Sequence, residues 1–225
     1  MSRFDPDGSD AARGTRVADS PEAFDRLIQQ VDPAALLVVI RTRMGTDLQR
    51  RVAPEDILQE TLLCAWRDRD RCEWRGLGAF RAWILSILDN RIRDAAEHEN
   101  AQKRGGGRSP LSLSPGSSMG HFGDDLPFAS TTPSRIALYR EKAATMQLAL
   151  ESLPDDVREV VRLRVFEQLS LEAIASRLGM GSSAALRRFR KGAELYHRRL
   201  RSVLTSRSSP KKAEDGRGDS APRGT

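Results

Sequence analysis

Residues 170–204 read SLEAIASRLGMGSSAALRRFRKGAELYHRRLRSVL, and the fold follows most directly from this stretch. Its first part predicts a short helix that Ser170 caps. The apolar residues of this helix fall at helical spacing at Leu171, Ile174, Ala175 and Leu178. Gly179 then ends the helix, because glycine readily adopts the left-handed conformation of a tight turn. A short helix, a glycine turn and a longer helix predict a helix-turn-helix.

The longer helix begins at Ser182 or Ser183 and runs toward Leu204. Its predicted inward residues are Ala185, Phe189, Gly192, Tyr196 and Leu200. In a helix-turn-helix this second helix lies in the DNA major groove, with its first residues at the base edges. The predicted DNA contacts are Ser182, Ser183, Leu186, Arg187, Arg188, Arg190 and Lys191. The alternative is a surface helix whose arginines are only solvated.

The distribution of charge favours DNA binding by this second half. Residues 22–104 carry 14 basic and 14 acidic side chains, whereas residues 134–204 carry 14 basic and 8 acidic ones. Within residues 182–204 there are seven basic side chains and one acid, Glu194. The formal charge of the whole chain is +6, so this segment can account for the positive balance. Such a basic segment suits a polyanion.

Upstream of the helix-turn-helix, the apolar periodicity predicts more helices and no strand. One helix covers residues 135–150, and a second begins at Leu153-Pro154 and ends at a turn near Gln168. Its predicted inward residues are Val157, Val160, Val161 and Val165. Together with the helix-turn-helix, these helices predict a second domain over residues 134–204.

The first half of the chain also has helical periodicity, over residues 34–44, residues 54–69 and from Ala79 onward. The middle helix has an apolar stripe of Leu58, Leu62, Ala65 and Trp66. The last has an apolar face of Phe80, Ile84, Ile87, Leu88, Ile92 and Ala95, which leaves Arg81, Ser86, Asn90 and Arg93 mostly outside it. We therefore predict an all-α protein of two small domains, the first over residues 22–104.

A flexible linker is predicted between the two domains. Sixteen of the 29 residues from 105 to 133 are Gly, Ser or Pro. At about 3.5 Å per residue the linker spans at most ~100 Å, or roughly three turns of B-DNA at about 34 Å each. Two domains tied in this way can reach separate DNA sites. Residues 1–21 and 205–225 are expected to be a disordered arm and a disordered basic tail.

Several classes of function find no support in the sequence. No apolar run approaches ~18 residues and the first residues contain no apolar signal-peptide core, so we expect a cytoplasmic protein without membrane insertion. Cys64 and Cys72 lack the companions of a zinc site, and we expect reduced thiols, no bound metal and no cofactor. The three histidines are scattered and no nucleophile motif is present, so we expect no catalytic residues and no enzyme.

Two stretches of the first half carry a more specific signal. They read D56-I-L-Q-E-T-L-L-C-A-W66 and F80-R-A-W-I-L-S-I-L-D-N90. They resemble the conserved core region of sigma-70 family factors, specifically the small two-domain extracytoplasmic-function group. The stretch from Leu153 to Gly179 resembles the promoter-binding C-terminal domain of the same family. The resemblance covers about 150 residues, in the family's order, on both sides of the linker.

The resemblance implies a sigma factor that binds core RNA polymerase and promoter DNA, with an anti-sigma factor as a further candidate partner. In the family, the helix with the first motif docks on the clamp helices of the largest polymerase subunit. The corresponding residues here are Asp56, Gln59 and Glu60, which share one exposed helix edge. A solvated face is one alternative, and a metal site formed by the paired carboxylates is another.

In the family, the next helix melts the minus-10 element and holds a flipped base near the position of Asn90. An amide suits this role because it both donates and accepts hydrogen bonds. Trp83 supports the unstacked base or belongs to the core. The minus-10 candidates are Arg81, Trp83, Ser86, Asn90, Arg91 and Arg93, with Lys103 and Arg104 as further phosphate contacts. The last helix would bind the minus-35 element.

The chain departs from the family pattern at some positions. Leu186 stands where a basic or polar reader is common, and Asp89 and Asp94 make the melting helix less basic than expected. The main alternative function is a stand-alone helix-turn-helix regulator, whose first helices would sense a signal or dimerise. Such a regulator would bind its DNA site without polymerase.

Overall fold

The computed structural model describes residues 20–103 and 131–208, and this part of the chain forms eight α-helices without a strand. The helices are α1 (Pro21–Val31), α2 (Pro33–Gln49), α3 (Pro54–Arg67), α4 (Leu77–Lys103), α5 (Pro133–Glu151), α6 (Asp155–Val161), α7 (Leu171–Arg177) and α8 (Ser182–Ser208). A 3₁₀ turn (Arg69–Arg71) follows α3, and a π-helical turn (Arg162–Phe166) extends α6. The prediction of an all-α fold is confirmed.

The first domain consists of α1 to α4. Helix α1 has no counterpart among the predicted helices, although Ser20 caps it by accepting a hydrogen bond from the Ala23 amide at 3.2 Å. The aromatic rings of Phe24, Trp66 and Phe80 meet in the core, with Phe24 at 5.3 Å from Trp66 and 6.1 Å from Phe80. The predicted stripe on α3 faces inward, since Leu58, Leu62 and Ala65 have no exposed surface.

Helix α2 is enclosed by both domains. All residues from Pro33 to Ile40 are buried, which requires neighbours around the whole circumference of the helix. Helices α3 and α4 supply some of these neighbours, and α5 of the second domain supplies others. Gly45, with φ of 69°, interrupts the helix before its last turn.

The second domain consists of α5 to α8 and contains the predicted helix-turn-helix. Helices α6 and α8 cross very closely at Gly192, where a Cβ atom would lie 2.5 Å from Cγ2 of Val161. The predicted turn at Gln168 is present, with φ of 56°. Helix α8 continues to Ser208, beyond the predicted end at residue 204.

One predicted inward residue of this domain is wrong. Val165 is 38% exposed, whereas the neighbouring Phe166 is 1% exposed. The π-helical turn is the cause, because the Glu167 amide bonds to the Arg162 carbonyl and so adds one residue to the turn. The apolar face therefore shifts by one position, from Val165 to Phe166.

The two domains pack against each other around one continuous apolar core. The sequence did not predict this contact, since the helix over residues 34–44 was assigned to the first domain and a flexible linker was predicted to separate the two domains. The predicted linker lies outside the described residues, except for Thr131–Pro133. The arginine-rich face of α8 is not part of the contact and remains exposed.

Candidate nucleic-acid interface

The turn between α7 and α8 has the local geometry that the sequence predicts. Ser170 accepts a hydrogen bond from the Ala173 amide at 3.1 Å and so caps α7. At the other end, Gly179 has φ of 62°, its amide bonds to Ser176 and the next amide bonds to Ala175. This pair of hydrogen bonds is a Schellman motif, which satisfies the last carbonyls of α7 and turns the chain toward α8.

The first half of α8 presents a basic surface, and Ala185 fixes its orientation by having no exposed surface itself. The predicted DNA contacts lie together on this surface: Ser182, Ser183, Arg187, Arg188, Arg190 and Lys191 are exposed and Leu186 is half-buried. Lys191 approaches Asp156 at 3.4 Å. Within residues 20–103 and 131–208, no acidic side chain forms an ion pair with Arg187, Arg188 or Arg190. Three guanidinium groups are therefore available to an anionic partner.

Helix α3 carries the predicted acidic edge. Asp56 is exposed, while Gln59 and Glu60 are half-buried beside the inward-facing Ile57 and Leu58. Burial raises the pKa of Glu60, the positive charge of Arg91 opposes this rise, and the carboxylates of Asp56 and Asp94 add to it. The acidic edge of α3 thus lies next to α4, close to the predicted minus-10 contacts.

Helix α4 exposes three of the predicted minus-10 residues. Asn90 and Arg93 are exposed and hydrogen-bonded to each other at 3.0 Å, and Ser86 is exposed while donating to the Trp83 carbonyl at 2.7 Å. Trp83 itself is half-buried, with its ring 5.7 Å from Phe80. Two further residues of the set, Arg91 and Arg81, have other partners.

Arg91 is half-buried and forms an ion pair with Asp94 at 2.7 Å. Arg81 was predicted to lie outside the apolar face of α4, and this prediction is wrong, because Arg81 is 2% exposed. It donates to the carbonyl of Val31 and, at 2.5 Å, to the carbonyl of Phe166 in the second domain. The second domain covers this side of α4, so Arg81 is enclosed, and burial lowers its pKa. Arg81 is not available to DNA in this arrangement.

The segment between α3 and α4 is a functional candidate that the sequence analysis missed. Trp74 is 37% exposed at 6.3 Å from Phe80, and the guanidinium of Arg69 stacks over Trp66 at 3.9 Å. Arg71 and Arg75 are exposed on the same segment. Arginines beside an exposed aromatic ring, here that of Trp74, are typical of surfaces that bind single-stranded nucleic acid. The signal was the presence of four arginines and two tryptophans within residues 66–75.

Other types of site find little support in the described residues. No group of three or more His, Cys, Asp or Glu side chains there could hold a metal ion. Cys64 and Cys72 are free and buried, and burial raises the pKa of Cys72. An open cleft of about 310 Å³ runs along Arg43, Arg51 and Arg93. None of α1 to α8 is both long enough and apolar enough to cross a membrane. Of the predicted phosphate contacts, the Lys103 side chain and Arg104 lie outside the described residues.

Both halves of the chain match family models. The model of Sigma-70 region 2 matches residues 35–101, which include α3 and most of α4. The model of Sigma-70, region 4 matches residues 144–192, which include the helix-turn-helix. The two matches fall in different domains and in the order that the sequence motifs indicate.

Two similar proteins and one solved structure are sigma factors by name. The RNA polymerase sigma-H factor of Pseudomonas aeruginosa is 32% identical over 155 residues, or 68% of this chain and 74% of that protein. The ECF RNA polymerase sigma factor SigD of Mycobacterium tuberculosis is 26% identical over 184 residues, or 78% and 76% of the two chains. A solved complex of the sigma factor RpoE with the anti-sigma factor NepR from Bartonella quintana gives 21% identity and a TM-score of 0.35, covering 82% of this chain and 98% of that chain.

Proposed function

This chain belongs to the sigma-70 family, in its extracytoplasmic-function group, and from that premise we propose that it binds core RNA polymerase and directs it to specific promoters. The observation that carries the proposal is the exposed basic face on the first half of α8, the helix that follows the turn at Gly179. The protein acts by binding, and polymerase carries out the chemistry.

The acidic edge of α3 is the proposed polymerase contact. Asp56 is exposed, and the half-buried Gln59 and Glu60 follow it on the same helix edge at i+3 and i+4. Carboxylates in this arrangement accept charge-assisted hydrogen bonds from a basic partner. Burial already disfavours the charged form of Glu60, as the direction of its pKa change indicates. A basic partner would relieve this cost, which supports a docking role.

Helix α4 and the preceding segment are the proposed minus-10 contact. The amide of Asn90 is exposed and can hydrogen-bond to a base edge, while Arg93 beside it can bind a phosphate. Trp74 offers an exposed ring for an unstacked base, a role for which Trp83 is less accessible. Arg91 would contact phosphate after release from Asp94. Arg81 is left out of this proposed surface.

The first turns of α8 are the proposed minus-35 contact. Arginine makes bidentate hydrogen bonds to guanine, and Arg187 lies within the first two turns, where a recognition helix reads bases. Arg188, Arg190 and Lys191 would bind phosphates. Leu186 would supply an apolar contact, for example with a thymine methyl group. An anti-sigma factor is a further proposed partner, supported by family membership alone.

Transcription reconstituted from purified components tests this proposal. Core polymerase with the full chain should initiate at promoters taken from the transcripts that rise when the chain is overexpressed. Asp56→Arg should abolish holoenzyme assembly without loss of helix content, because it places a cation opposite a basic partner. Asp47→Arg is the matched control, since Asp47 is an exposed acid of α2 outside the proposed docking residues.

Assembly that survives Asp56→Arg would make the docking assignment wrong. Specific, tight DNA binding by the chain alone, with no stimulation of polymerase, would instead favour the stand-alone regulator.

A further inference from the structure

The open cleft of about 310 Å³ separates the end of α2 from the second half of α4. Side chains from residues 43–51 line it on one side and side chains from residues 92–100 on the other, at helical intervals. Fully packed helices leave few voids larger than a water molecule between them. The two helices therefore stand apart here and leave a space that is open to solvent.

The floor of this cleft is apolar. Met44 and Leu48 of α2 are buried, whereas Ile92 and Ala96 of α4 are half-buried, so part of the apolar surface faces the open space. A ligand that covers such a surface removes it from water, which favours binding. Small-molecule sites have volumes of about 300–1,000 Å³, and a cleft at the lower end of this range suits one flat ring system.

Polar groups surround the opening of the cleft. The Arg51 guanidinium approaches the Glu99 carboxylate at 3.4 Å, and the Arg51 side chain remains 41% exposed. The Asn100 side chain is exposed, and in the part of the chain that the structure describes no residue pairs with its amide. A guanidinium plane can stack on a base, and an amide can both donate to and accept from a base edge. The rim therefore offers the two kinds of contact that hold an unstacked base.

The cleft adjoins the proposed minus-10 contact through Arg93. This arginine lines the cleft and also donates a hydrogen bond to Asn90 at 3.0 Å. Ala96 of the floor lies six residues beyond Asn90, or about 9 Å along the axis of α4. Neighbouring bases of a stacked strand are about 3.4 Å apart, so roughly one to three nucleotides cover this distance. A strand bound at Asn90 that continues along α4 would thus enter the cleft.

The charge beside the cleft suits the phosphate that links two such bases. Arg43 is engaged by the carboxylates of Asp89 and Glu167. Arg93 differs, because among the described residues no carboxylate pairs with it and its partner is the neutral amide of Asn90. It therefore has a positive charge available for a phosphate, at the point between Asn90 and the cleft.

We propose that the cleft binds a second unstacked base of the melted minus-10 strand, about one to three nucleotides from the base at Asn90. The apolar floor covers one face of this base, the Arg51 guanidinium stacks on the other, and Arg93 binds the phosphate between the two bases. The Glu99 carboxylate accepts a hydrogen bond from an exocyclic amino group, which favours cytosine over thymine. This site rests on the proposed function, since it adds a second base-reading position to the minus-10 contact.

Removal of single bases tests the site. The full chain with core polymerase is bound to a single-stranded oligonucleotide of the minus-10 strand, from a promoter that responds to overexpression, and one nucleotide after another is replaced by an abasic one. Two positions should each lose affinity by about fivefold or more, as expected for bases that contact the protein directly. Cytosine at the second position should bind more tightly than thymine. Fluorescence anisotropy at one salt concentration gives these affinities.

A variant that fills the cleft assigns the second position. Ala96→Phe places a ring on the floor, so abasic replacement at the second position should then cost no further affinity, while the position read by Asn90 keeps its full effect. Asn90→Ala should do the reverse. Ala101→Phe is the matched control, because it makes the same change at an exposed position of α4 outside the cleft, and it should leave both positions as in the wild type.

A second variant tests the site without adding bulk. Arg51→Ala removes the stacking group and should reduce the effect of abasic replacement at the second position alone. Arg50→Ala is its control, since Arg50 is an exposed neighbour that does not line the cleft. Circular dichroism checks that every variant keeps its helix content.

A single sensitive position, or a second position that Ala96→Phe and Arg51→Ala leave unchanged, would overturn the cleft as a base site while the assignment of Asn90 stands. Tighter binding of thymine than of cytosine at the second position would overturn the role of Glu99. A chain that fails to bring polymerase to the strand at all would overturn the proposed function, and the cleft site with it.

Discussion

Helices α4 and α8 are both 27 residues long and both carry predicted DNA contacts, yet their surroundings differ. Helix α8 packs through one face, and the arginines of its first half extend into solvent. Helix α4 packs within the first domain and meets the second domain at Arg81, which is buried, while Arg91 is paired with Asp94 of the same helix. The arginines in the first half of α8 are therefore exposed, whereas Arg81 of α4 links the two domains and Arg91 and Arg93 are bonded within their own helix.

The difference indicates a division of labour between the two helices. Under the proposed function, the guanidinium groups of α8 would supply affinity for duplex phosphates, since Arg187, Arg188 and Arg190 need not break an ion pair to bind DNA. On α4, Asn90 and Arg93 bond to each other and Arg91 bonds to Asp94, so binding there exchanges one set of contacts for another. The first domain is therefore expected to bind DNA only with help from polymerase.

The largest expected difference between the two helices is in stability. Arg81→Ala should lower the free energy of unfolding by about 3 kcal/mol, because two buried carbonyl groups lose their donor and a cavity forms. Arg187→Ala should change it by less than about 0.5 kcal/mol, since that side chain is exposed. Urea unfolding followed by circular dichroism measures both values. Equal effects would mean that the burial of Arg81 does not distinguish α4 from α8.

A second difference is expected in DNA affinity. Arg187→Ala should weaken binding to a minus-35 duplex by about 1–3 kcal/mol and relax the sequence preference. Arg199→Ala, an exposed arginine further along α8, is the control and should leave the preference unchanged. Fluorescence anisotropy with cognate and scrambled duplexes at one salt concentration gives these values. An unchanged preference in Arg187→Ala would reassign this arginine to phosphate binding.

The smallest effect, a change in stability with pH, is expected at Glu60 of α3, which lies beside α4. Burial raises its pKa in the folded protein, so Glu60 contributes most to stability when protonated, and this contribution is lost as the pH rises through the raised pKa. Glu60→Gln mimics the protonated form at every pH. It should therefore resemble the wild type at pH 4 and be more stable at pH 8, by less than about 1 kcal/mol because the site is half-buried and screened.

Urea unfolding at the two pH values tests the effect at Glu60, with Glu97→Gln, at an exposed position of α4, as the control. A Glu60→Gln variant that is less stable at pH 8 would show that this carboxylate stabilises the free protein. A gain in stability together with weaker polymerase binding would fit a residue kept for docking.

Local features were predictable from the sequence. The cap at Ser170, the turn at Gly179 and the inward position of Ala185 depend on neighbours within one or two helical turns. Periodicity therefore located the helix-turn-helix and the exposed face of α8 correctly. The apolar stripe of α3 was predicted for the same reason, because one face of that helix meets the core.

Features that depend on distant residues were not predictable in this way. Arg81 is polar and lies beside the apolar face of α4, so helical periodicity predicted that it is exposed to solvent. In the structure it is buried and donates a hydrogen bond to the Phe166 carbonyl, 85 residues away in the sequence. Val165 was misplaced because nothing in the sequence marks the extra residue of the π-helical turn. The packing of α5 on α2 has no local signal beyond the unbroken apolar run from Pro33 to Ile40, which a single domain also explains.

The close crossing at Gly192 has a consequence for how promoter preference can diverge among related proteins. Helices α6 and α8 are in contact at Gly192 with no room for a side chain. This contact fixes the position of the α8 axis at a point beyond its first two turns. The exposed residues of the first turns, Ser182, Ser183, Arg187, Arg188, Arg190 and Lys191, can then be exchanged without changing the direction of the helix, whereas Ala185 is held in the core. If α8 binds the minus-35 element as proposed, substitution of these few surface positions would give access to new target sequences without a change in the angle at which the helix enters the groove.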